Sequence, residues 1–401
     1  MVQRFSIFPP SQGCSKATGE VVNARRVLVI SHAAVVPAYR RKFAEAARQS
    51  PDIHFVVVTP HEWIEGGRRV RGGGEHDGNY WVQPFPAILA GKQYGHIYRS
   101  LGRLMLEVKP SLIHLEEEPP SLVAWQVCYL RQKLVSRSSL IFFTWENLAP
   151  AWSGWRALLY PRIESRVWQA SNAAIAGTQM AKDLLEMRGY QKRVFVLPQV
   201  GIDINHFSPR DGYSVKERLG LTPPVIGFAG RLIPEKGVQD LVKAVGALQA
   251  GSLLVVGSGS GRFVKELNDL ARSVRAKLFH VEAVPHEMMP EFLSAMDVLV
   301  LPSRTSRTWA EQFGRVMLEA MSCGVPVIAS QTGAITEVGG EAILSYPEGD
   351  VQALADCLER VLHDENLRAS LSAAGRERVM RLFCNEVVTT RLLNIYSEFL
   401  P

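Results

Sequence analysis

Residues 311–328 read Glu-Gln-Phe-Gly-Arg-Val-Met-Leu-Glu-Ala-Met-Ser-Cys-Gly-Val-Pro-Val-Ile, and this stretch decides the fold. Apolar residues after Gly314 recur at helical spacing, which predicts a helix that carries Glu319, with Glu311 in the loop before it. The N-terminus of such a helix gathers unpaired N–H groups and the positive end of the helix dipole, which suits a diphosphate. The two carboxylates would accept hydrogen bonds from hydroxyls such as those of a ribose or a sugar ring.

A second stretch, residues 228–237, reads Phe-Ala-Gly-Arg-Leu-Ile-Pro-Glu-Lys-Gly and follows a predicted buried strand. Its two cations, Arg231 and Lys236, suit phosphate because arginine offers a planar fork of donors and lysine a point charge. A structural alternative is that both lie on the surface beside a turn. The order of the two stretches, basic pair first and carboxylate pair about one half-domain later, favours one shared site.

Taken together, the two stretches resemble the donor-site signature of retaining GT-B glycosyltransferases of the GT4 type. The family pattern is Gly-Arg-x4-Lys-Gly, then Glu-x7-Glu enclosing Phe-Gly, then Gly-x-Pro-Val. The resemblance covers residues 25–395 in outline and is strongest over 197–340. It implies an α/β fold of two Rossmann-like doubly wound domains that face each other across a crevice, with the ligand at the carboxyl ends of the strands.

The resemblance also implies roles for individual residues. Arg231 and Lys236 would neutralise the diphosphate of a nucleotide-sugar donor, where the backbone N–H groups of Phe313 and Gly314 would also reach. Glu311 would bind the donor sugar and Glu319 the ribose hydroxyls. The predicted catalytic set is Arg231, Lys236, Glu311 and Glu116, and the predicted donor-binding set is Gly230, Phe313, Gly314, Glu319, Gly257, Val281 and Val284.

Residues 257–262, Gly-Ser-Gly-Ser-Gly-Arg, follow another predicted strand without matching a dinucleotide fingerprint, because Arg262 stands at the third glycine position. We interpret them as a tight strand-to-helix turn that lines the nucleotide side of the crevice. Residues 281–286, Val-Glu-Ala-Val-Pro-His, occupy the segment that packs against the base in the family. Its backbone would read the base, so the side chains do not discriminate UDP from GDP.

The N-terminal half departs from the family pattern. Many members carry His-x-His after the strand that corresponds to residues 111–115, and the second His touches the donor sugar. Here the stretch is His114-Leu-Glu116-Glu117, so Glu116 falls at that position, unless the loop is merely acidic. Residues 31–34, Ser-His-Ala-Ala, stand where the family often has Gly-Gly. The predicted acceptor or sugar contacts are Glu117, Glu146 and Asn147, which follow neighbouring strands.

Composition limits the domain count and the compartment. With 401 residues, two domains are expected. The five cysteines are scattered without a Cys-x-x-Cys pair, which favours a reducing, cytoplasmic compartment, and no apolar run is long enough for a membrane span. We expect a poorly ordered leader (1–24), an acceptor-side domain (25–197), a donor domain (198–380) and a C-terminal helix that packs back on the first domain (381–401).

Charge suggests a partner surface. The formal net charge is +6, and the sequence concentrates cations in an N-terminal patch that would suit anionic lipid head groups at the inner face of a membrane. Ordinary solvated charges are the alternative, and nothing indicates a nucleic-acid partner. The patch comprises Arg40, Arg41, Lys42, Arg68, Arg69 and Arg71.

The sequence therefore predicts a retaining hexosyltransferase that moves a hexose from a nucleotide-diphosphate sugar, with UDP as the default, to a hydroxyl of a glycan or lipid-linked acceptor. Synthesis of surface polysaccharide or glycolipid is the commonest role in the family. No Asp-x-Asp motif is present, so neither a metal nor another cofactor is expected. A sugar-nucleotide epimerase or phosphorylase of the same architecture, and a non-catalytic nucleotide-sugar-binding subunit, remain alternatives.

Overall fold

The computed structural model describes residues 25–65, 68–249, 251–282 and 284–401. The leader predicted for residues 1–24 lies outside the described residues. Buried runs such as Val27–Ile30, each with no exposed surface, form strands that are covered by helices on both faces, as parallel sheets require.

The N-terminal half is built on an eight-stranded sheet with the order β12-β11-β10-β9-β1-β2-β6-β5. Its ladders are parallel except at the β5–β6 edge, and two short antiparallel hairpins, β3–β4 and β7–β8, stand beside it. The strands are β1 (Arg25–Ile30), β2 (Ile53–Pro60), β3 (Glu62–Glu65), β4 (Arg68–Arg71), β5 (Glu75–Asp77), β6 (Tyr80–Phe85), β7 (Ala87–Ile88), β8 (Ile97–Tyr98), β9 (Leu112–Leu115), β10 (Ser139–Thr144), β11 (Ala173–Ala176) and β12 (Val194–Val196).

Helices alternate with these strands. Side-chain oxygens cap two of them, since Ser121 accepts from the N–H of Ala124 and Thr178 from that of Ala181. The helices of this half are α1 (Pro37–Gln49), α2 (Leu101–Val108), α3 (Leu122–Leu134), α4 (Trp155–Ala170) and α5 (Gln179–Met187).

The C-terminal half is a second, six-stranded parallel sheet with the order β15-β14-β13-β16-β17-β18. Its strands are β13 (Val225–Ala229), β14 (Ser252–Val256), β15 (Leu278–Val281), β16 (Val298–Leu301), β17 (Val327–Ser330) and β18 (Leu344–Tyr346). Its helices are α6 (Tyr213–Leu219), α7 (Val238–Leu248), α8 (Gly261–Ser273), α9 (Met289–Ser294), α10 (Arg315–Ser322), α11 (Ile335–Gly339), α12 (Val351–His363), α13 (Glu365–Leu382) and α14 (Asn385–Ser397).

The last helix joins the two halves. Helix α14 packs against α1, and the hydroxyl of Tyr396 lies 2.6 Å from Nδ1 of His114 on β9. The chain therefore crosses from the second half back to the first. The predicted α/β fold of two doubly wound domains facing each other across a crevice is confirmed. Within the described residues, no helix is both long and apolar enough to cross a membrane.

Two further details concern strand pairing. Strands β3 and β4 form an antiparallel hairpin, and the adjoining β5 and β6 extend the main sheet. Strand β17 begins at Val327, because Pro326 has no N–H for the ladder, while the carbonyl of Pro326 accepts from the N–H of Leu299.

Candidate active site

Two of the predicted catalytic residues meet where their strands end. Lys236, from the loop after β13, lies with Nζ 2.5 Å from Oε2 of Glu311, in the loop after β16. The same carboxylate oxygen accepts a hydrogen bond from the hydroxyl of Ser303 at 2.9 Å. The ammonium group also lies 5.1 Å from the ring centre of Trp309. The structure thus fixes this carboxylate between a cation and a hydroxyl at the carboxyl edge of the sheet.

Arg231 stands one loop away and is exposed. Its guanidinium makes no hydrogen bond or ion pair with any part of the chain that the structure describes. It follows Gly230, whose carbonyl oxygen is approached so closely by Gly257 that a Cβ at Gly257 would lie 1.8 Å from it. The glycine-rich turn after β14 therefore packs directly on the Arg231 loop, in agreement with our interpretation of a tight strand-to-helix turn.

The N-terminus of α10 has backbone N–H groups that are available to a ligand. The ring of Phe313 packs against Trp145 of the N-terminal half and Phe383, with ring centres 5.2 and 5.9 Å apart. Gly314, with φ +70°, turns the chain into the helix, a conformation that favours glycine. Among the described residues, the N–H groups of Phe313 and Gly314 donate no hydrogen bond. They are the donors that a diphosphate at this helix end would use.

Glu319 is buried on α10 and forms an ion pair with Arg315, one turn earlier, at 2.8 Å. Burial raises the pKa of Glu319, and Arg315 opposes this rise. The guanidinium of Arg315 also lies 5.0 Å from the ring centre of Tyr39 on α1, so it spans the two halves. Our sequence analysis missed Arg315, although its i,i+4 spacing from Glu319 is a readable signal.

A cavity of about 550 Å³ separates α1 from the C-terminal half. It is bordered by Tyr39, Asp203, His286 and Arg315 but by neither Lys236 nor Glu311, so it is not the position of the carboxylate–ammonium pair. Burial lowers the pKa of His286 to about 4. The predicted base-side residues Val281 and Val284 are half-buried and pack on the core of this half.

Glu116 is buried and paired. Its carboxylate forms an ion pair with Lys42, and Oε2 also accepts from the side-chain amide of Gln199 at 3.4 Å. Burial lowers the pKa of Lys42, while Glu116 works to raise it. Both carboxylate oxygens are engaged inside the protein, where the ion pair anchors α1. The contact of Glu116 with the donor sugar stays a prediction.

Glu117 is also buried, with imidazoles as its partners. Its carboxylate accepts from the backbone N–H of His32 at 2.7 Å and lies 2.6 Å from Nδ1 of the same residue. The Nε2 atom of His96 is 3.6 Å away. Burial works to raise the pKa of Glu117, but the two histidines outweigh it and lower the pKa to about 2. The structure thus ties this predicted acceptor contact to the loop after β1.

Glu146 and Asn147 have separate surroundings. Glu146 bonds to Arg188 at 3.1 Å and to the hydroxyl of Tyr94 at 3.3 Å, and burial together with nearby Glu118 raises its pKa to about 8. Asn147 instead reaches across the crevice, where its amide donates to the backbone carbonyl of Glu311 at 2.9 Å. Of the predicted acceptor-side residues, Asn147 is the one that contacts the donor motif.

The predicted basic patch is not formed as expected. Arg40 and Lys42 are buried, and Arg40 bonds to Glu75 and to backbone carbonyls. Arg41 pairs with Asp203 of the linker between the halves. Arg40 and Lys42 thus hold α1 in place inside the protein, whereas Arg41 stays exposed beside Asp203. Arg69 is exposed on the β3–β4 hairpin beside Glu62, Arg71 is exposed, and the side chain of Arg68 lies outside the described part.

Comparison with known proteins agrees with this geometry. The model of the family Glycosyl transferases group 1 matches residues 210–378. The GDP-mannose-dependent monoacylated alpha-(1-6)-phosphatidylinositol monomannoside mannosyltransferase of Corynebacterium glutamicum is 36% identical over 210 residues, 49% of this chain and 55% of that one. The D-inositol 3-phosphate glycosyltransferase of Xylanimonas cellulosilytica is 33% identical over 255 residues, 59% of each chain. The matches span just over half the length of these relatives.

Solved structures extend the likeness to the whole fold. Sucrose-phosphate synthase from Thermosynechococcus elongatus superposes with a TM-score of 0.71 at 21% identity, over 93% of this chain and 98% of that one. Anabaena HepE in complex with UDP gives a TM-score of 0.71 at 18% identity, over 93% and 100%. At these identities the likeness establishes the GT-B fold. The predicted resemblance to group 1 glycosyltransferases is confirmed.

Proposed function

We propose, starting from the group 1 glycosyltransferase domain at residues 210–378, that this protein is a retaining hexosyltransferase. It would transfer a hexose from a nucleotide-diphosphate sugar to a hydroxyl of a glycan or a lipid-linked acceptor. The observation that carries the proposal is the contact of Lys236 with Glu311 beside unpaired donors. Those donors are the guanidinium of Arg231 and the N–H groups of Phe313 and Gly314.

The donor would lie along the carboxyl edge of the second sheet. Its diphosphate would sit between Arg231, Lys236 and the N-terminus of α10, because these groups offer unmatched positive charge and hydrogen-bond donors. The sugar would then contact Glu311. The ribose hydroxyls would donate hydrogen bonds to the carboxylate of Glu319 and displace Arg315 from it. This carboxylate is the acceptor that lies on the inner face of α10.

Bond cleavage would place negative charge on the departing diphosphate. Fixed donors aimed at developing charge stabilise the transition state without reorganisation. The acceptor hydroxyl would attack from the face that the diphosphate leaves, and the departing phosphate oxygen would take its proton. This course retains the anomeric configuration and needs no protein nucleophile. We accordingly propose that Arg231 and Lys236 neutralise the diphosphate in place of Mg²⁺ or Mn²⁺. The reaction would then need no cofactor besides the nucleotide sugar.

UDP is the donor nucleotide that we propose, with GDP as the alternative. HepE, which has the same fold, is described with UDP, whereas the Corynebacterium relative is described as GDP-mannose-dependent. Relatives described as acting on a phosphatidylinositol mannoside and in capsular polysaccharide biosynthesis support an acceptor in glycolipid or surface polysaccharide synthesis.

A lipid-linked acceptor would bring the protein to a membrane surface from the cytoplasm. Helix α4 provides a surface for this that the sequence analysis missed. Trp155 and Leu158 are more than three-fifths exposed, and the one carboxylate of the helix, Glu164, is buried against Arg188. We propose that this face, apolar and basic, contacts anionic head groups. Its exposed arginines are Arg156, Arg162 and Arg166.

The test is a thermal-shift panel of the full chain with UDP, GDP, ADP, dTDP and NAD. A nucleotide at 100 times its Kd stabilises by ~2.7 kcal/mol, or several degrees at ~2–4 °C per kcal/mol. We expect a shift with one nucleoside diphosphate, undiminished when Mg²⁺ is omitted. The shift should be lost in Arg231→Ala and kept in Arg360→Ala, which alters an exposed arginine of α12.

Other outcomes would replace the proposal. A shift with NAD alone would contradict a nucleotide-sugar site. Nucleotide binding without transfer to any hydroxyl acceptor would indicate a non-catalytic subunit, and donor turnover that needs no acceptor would indicate an epimerase. An absolute requirement of nucleotide binding for Mg²⁺ would overturn the role given to Arg231 and Lys236.

A further inference from the structure

Three potential metal ligands converge beneath the loop that follows β1. His32 lies in that loop, Glu117 follows the neighbouring strand β9, and His96 precedes β8. Each offers one ligand atom, and these atoms all lie within 4.8 Å of one another. The side chains of His96 and Glu117 are fully buried, whereas that of His32 is 16% exposed. The donor-site signature does not account for this cluster.

The imidazole of His96 has a defined tautomer. Its Nδ1 lies 3.2 Å from the backbone carbonyl of Lys92, and because a carbonyl only accepts, Nδ1 carries the hydrogen. In the neutral ring Nε2 is then an acceptor. It is buried without a hydrogen-bond partner among the residues that the structure describes, and it faces Oε1 of Glu117, a second acceptor, at 3.6 Å. Two lone pairs that face each other in a buried site require a cation between them.

The spacing discriminates between a proton and a metal ion. A proton shared between imidazole and carboxylate would draw the two atoms to about 2.7–2.9 Å. Zinc bonds of about 2.0–2.1 Å at tetrahedral angles hold two ligand atoms about 3.4 Å apart. The observed 3.6 Å between His96 and Glu117 is close to the second value. Nδ1 of His32, in contrast, lies 2.6 Å from Oε2 of Glu117 and shares a hydrogen with that carboxylate, so metal binding would displace this proton. We propose that His32, His96 and Glu117 bind a divalent transition-metal ion of the zinc type.

Neighbouring groups already orient the ligands. The backbone N–H of His32 donates to Oε1 of Glu117 at 2.7 Å, and the Lys92 carbonyl fixes the ring of His96. Hydrogen bonds of this kind surround metal-binding histidines and carboxylates. Trp63 packs on both imidazoles, with ring centres 4.6 and 4.9 Å away. Two nitrogens and one carboxylate suit zinc better than Mg²⁺ or Ca²⁺, which prefer oxygen ligands.

The site lies in the N-terminal half, apart from the Lys236–Glu311 pair. Strands β1 and β9 are neighbours, and His32 and Glu117 follow their carboxyl ends, the edge that faces the crevice. Three protein ligands leave a fourth tetrahedral position for water or a substrate group. The partly exposed ring of His32 is the member of the cluster that reaches solvent. The ion would tie the loop after β1 to β9, while the donor diphosphate remains neutralised by Arg231 and Lys236.

Metal analysis of the purified full chain tests the proposal without an activity assay. We expect about one zinc per chain after dialysis, and Co²⁺ in its place should show the visible bands of a tetrahedral site. Zinc at 100 times its Kd should raise the melting temperature of the stripped protein by about 5–10 °C. The variants His96→Asn and Glu117→Gln should each abolish zinc binding and the rise in melting temperature that zinc causes. His54→Asn, a half-buried histidine of β2, should change neither.

Folding of the variants is checked by circular dichroism, and His32→Asn offers a less buried change should His96→Asn fail to fold. A stripped wild-type protein that folds, binds no zinc or Co²⁺ and shows no shift would reduce the cluster to a hydrogen-bonded histidine–glutamate network. Metal retained in both His32→Asn and Glu117→Gln would place the ion elsewhere. Either result overturns the proposal, and neither depends on whether the protein transfers a sugar.

Discussion

The two halves of the molecule place similar charges at similar positions, with opposite consequences. In the C-terminal half, Lys236 and Glu311 are 18% and 10% exposed at strand ends. Beside them, the guanidinium of Arg231 has no partner within the described part of the chain. In the N-terminal half, Lys42 and Glu116 are 3% and 1% exposed. The first pair keeps unused donors around it and is suited to bind an anion. The second pair makes its hydrogen bonds inside the protein and holds α1 against the loop that follows β9.

This difference teaches how to separate binding charges from structural ones. A buried ion pair gains little net stability, because desolvation offsets its attraction, but removing one partner leaves a buried charge uncompensated. A pair that is slightly exposed and lies beside open N–H groups loses less when a ligand displaces one member. A substitution of Lys42 should therefore lower the free energy of unfolding, whereas a substitution of Lys236 should lower the rate of donor turnover.

The largest effect is expected from Lys42→Met. The substitution leaves Glu116 buried with the weak contact of Gln199 alone, so we expect a loss of about 3–5 kcal/mol in the free energy of unfolding. Urea unfolding followed by circular dichroism measures it. Arg41→Met, on the adjacent residue, removes an ion pair whose arginine is 62% exposed and should cost less than about 1 kcal/mol.

A double variant sharpens this result. Lys42→Met combined with Glu116→Leu removes both charges, and much of the lost stability should return because an apolar pair of similar volume replaces the buried ions. If Lys42→Met were as stable as Arg41→Met, the assignment of Lys42–Glu116 as a structural pair would be wrong. The sugar-contacting role of Glu116 would then deserve renewed study.

The same contrast explains what the sequence could predict. The donor motif is local: the fixed spacing of Glu311 and Glu319 and a glycine turn specify a loop and a helix. The burial of Lys42 is not local, because it depends on Glu116 and on the carbonyl of Gln199, far away in the chain. A basic run on a helix therefore reads as a solvated surface.

Glu117 was predicted as an acceptor contact, but its cluster with two histidines was missed for a related reason. His32, His96 and Glu117 come from three separated segments without a characteristic spacing, so only the sheet order brings them together. Arg315 and Ser303 could have been found, since one lies a helical turn before Glu319 and the other follows a predicted strand. The edge strand β5 and its neighbour β6 were not predicted, because the sequence before them is rich in glycine and arginine.

The second prediction addresses the C-terminal pair. Lys236→Ala removes the cation that holds Glu311 and would face the diphosphate, so we expect turnover of the nucleotide sugar to fall by about 10²–10³-fold. Initial rates with the donor identified by the thermal-shift panel measure it. Lys277→Ala, an exposed lysine at the amino end of β15, serves as the control and should retain full turnover.

The melting temperature of Lys236→Ala should stay within a few degrees of the wild type, unlike that of Lys42→Met, because its pair with Glu311 is partly exposed. A large loss of stability with unchanged turnover would reverse the comparison and make Lys236 structural. Turnover close to that of the wild type in a stable Lys236→Ala protein would exclude it from the phosphate site.

The smallest effect concerns the exposed apolar and basic face of α4 in the N-terminal half. An arginine near an anionic membrane contributes about 1 kcal/mol, and each 1.4 kcal/mol is tenfold in affinity. Arg156→Ser with Leu158→Ser should therefore weaken binding to vesicles containing phosphatidylglycerol by about tenfold in a sedimentation assay, with transfer to a soluble acceptor unchanged. Arg360→Ser, on the C-terminal half, should bind like the wild type.

Equal binding of all three proteins would remove α4 from the interface, and binding to neutral vesicles would show that charge does not direct it. A selective loss would place the lipid-facing surface on the same half as the acceptor side of the crevice, leaving the C-terminal half to the donor.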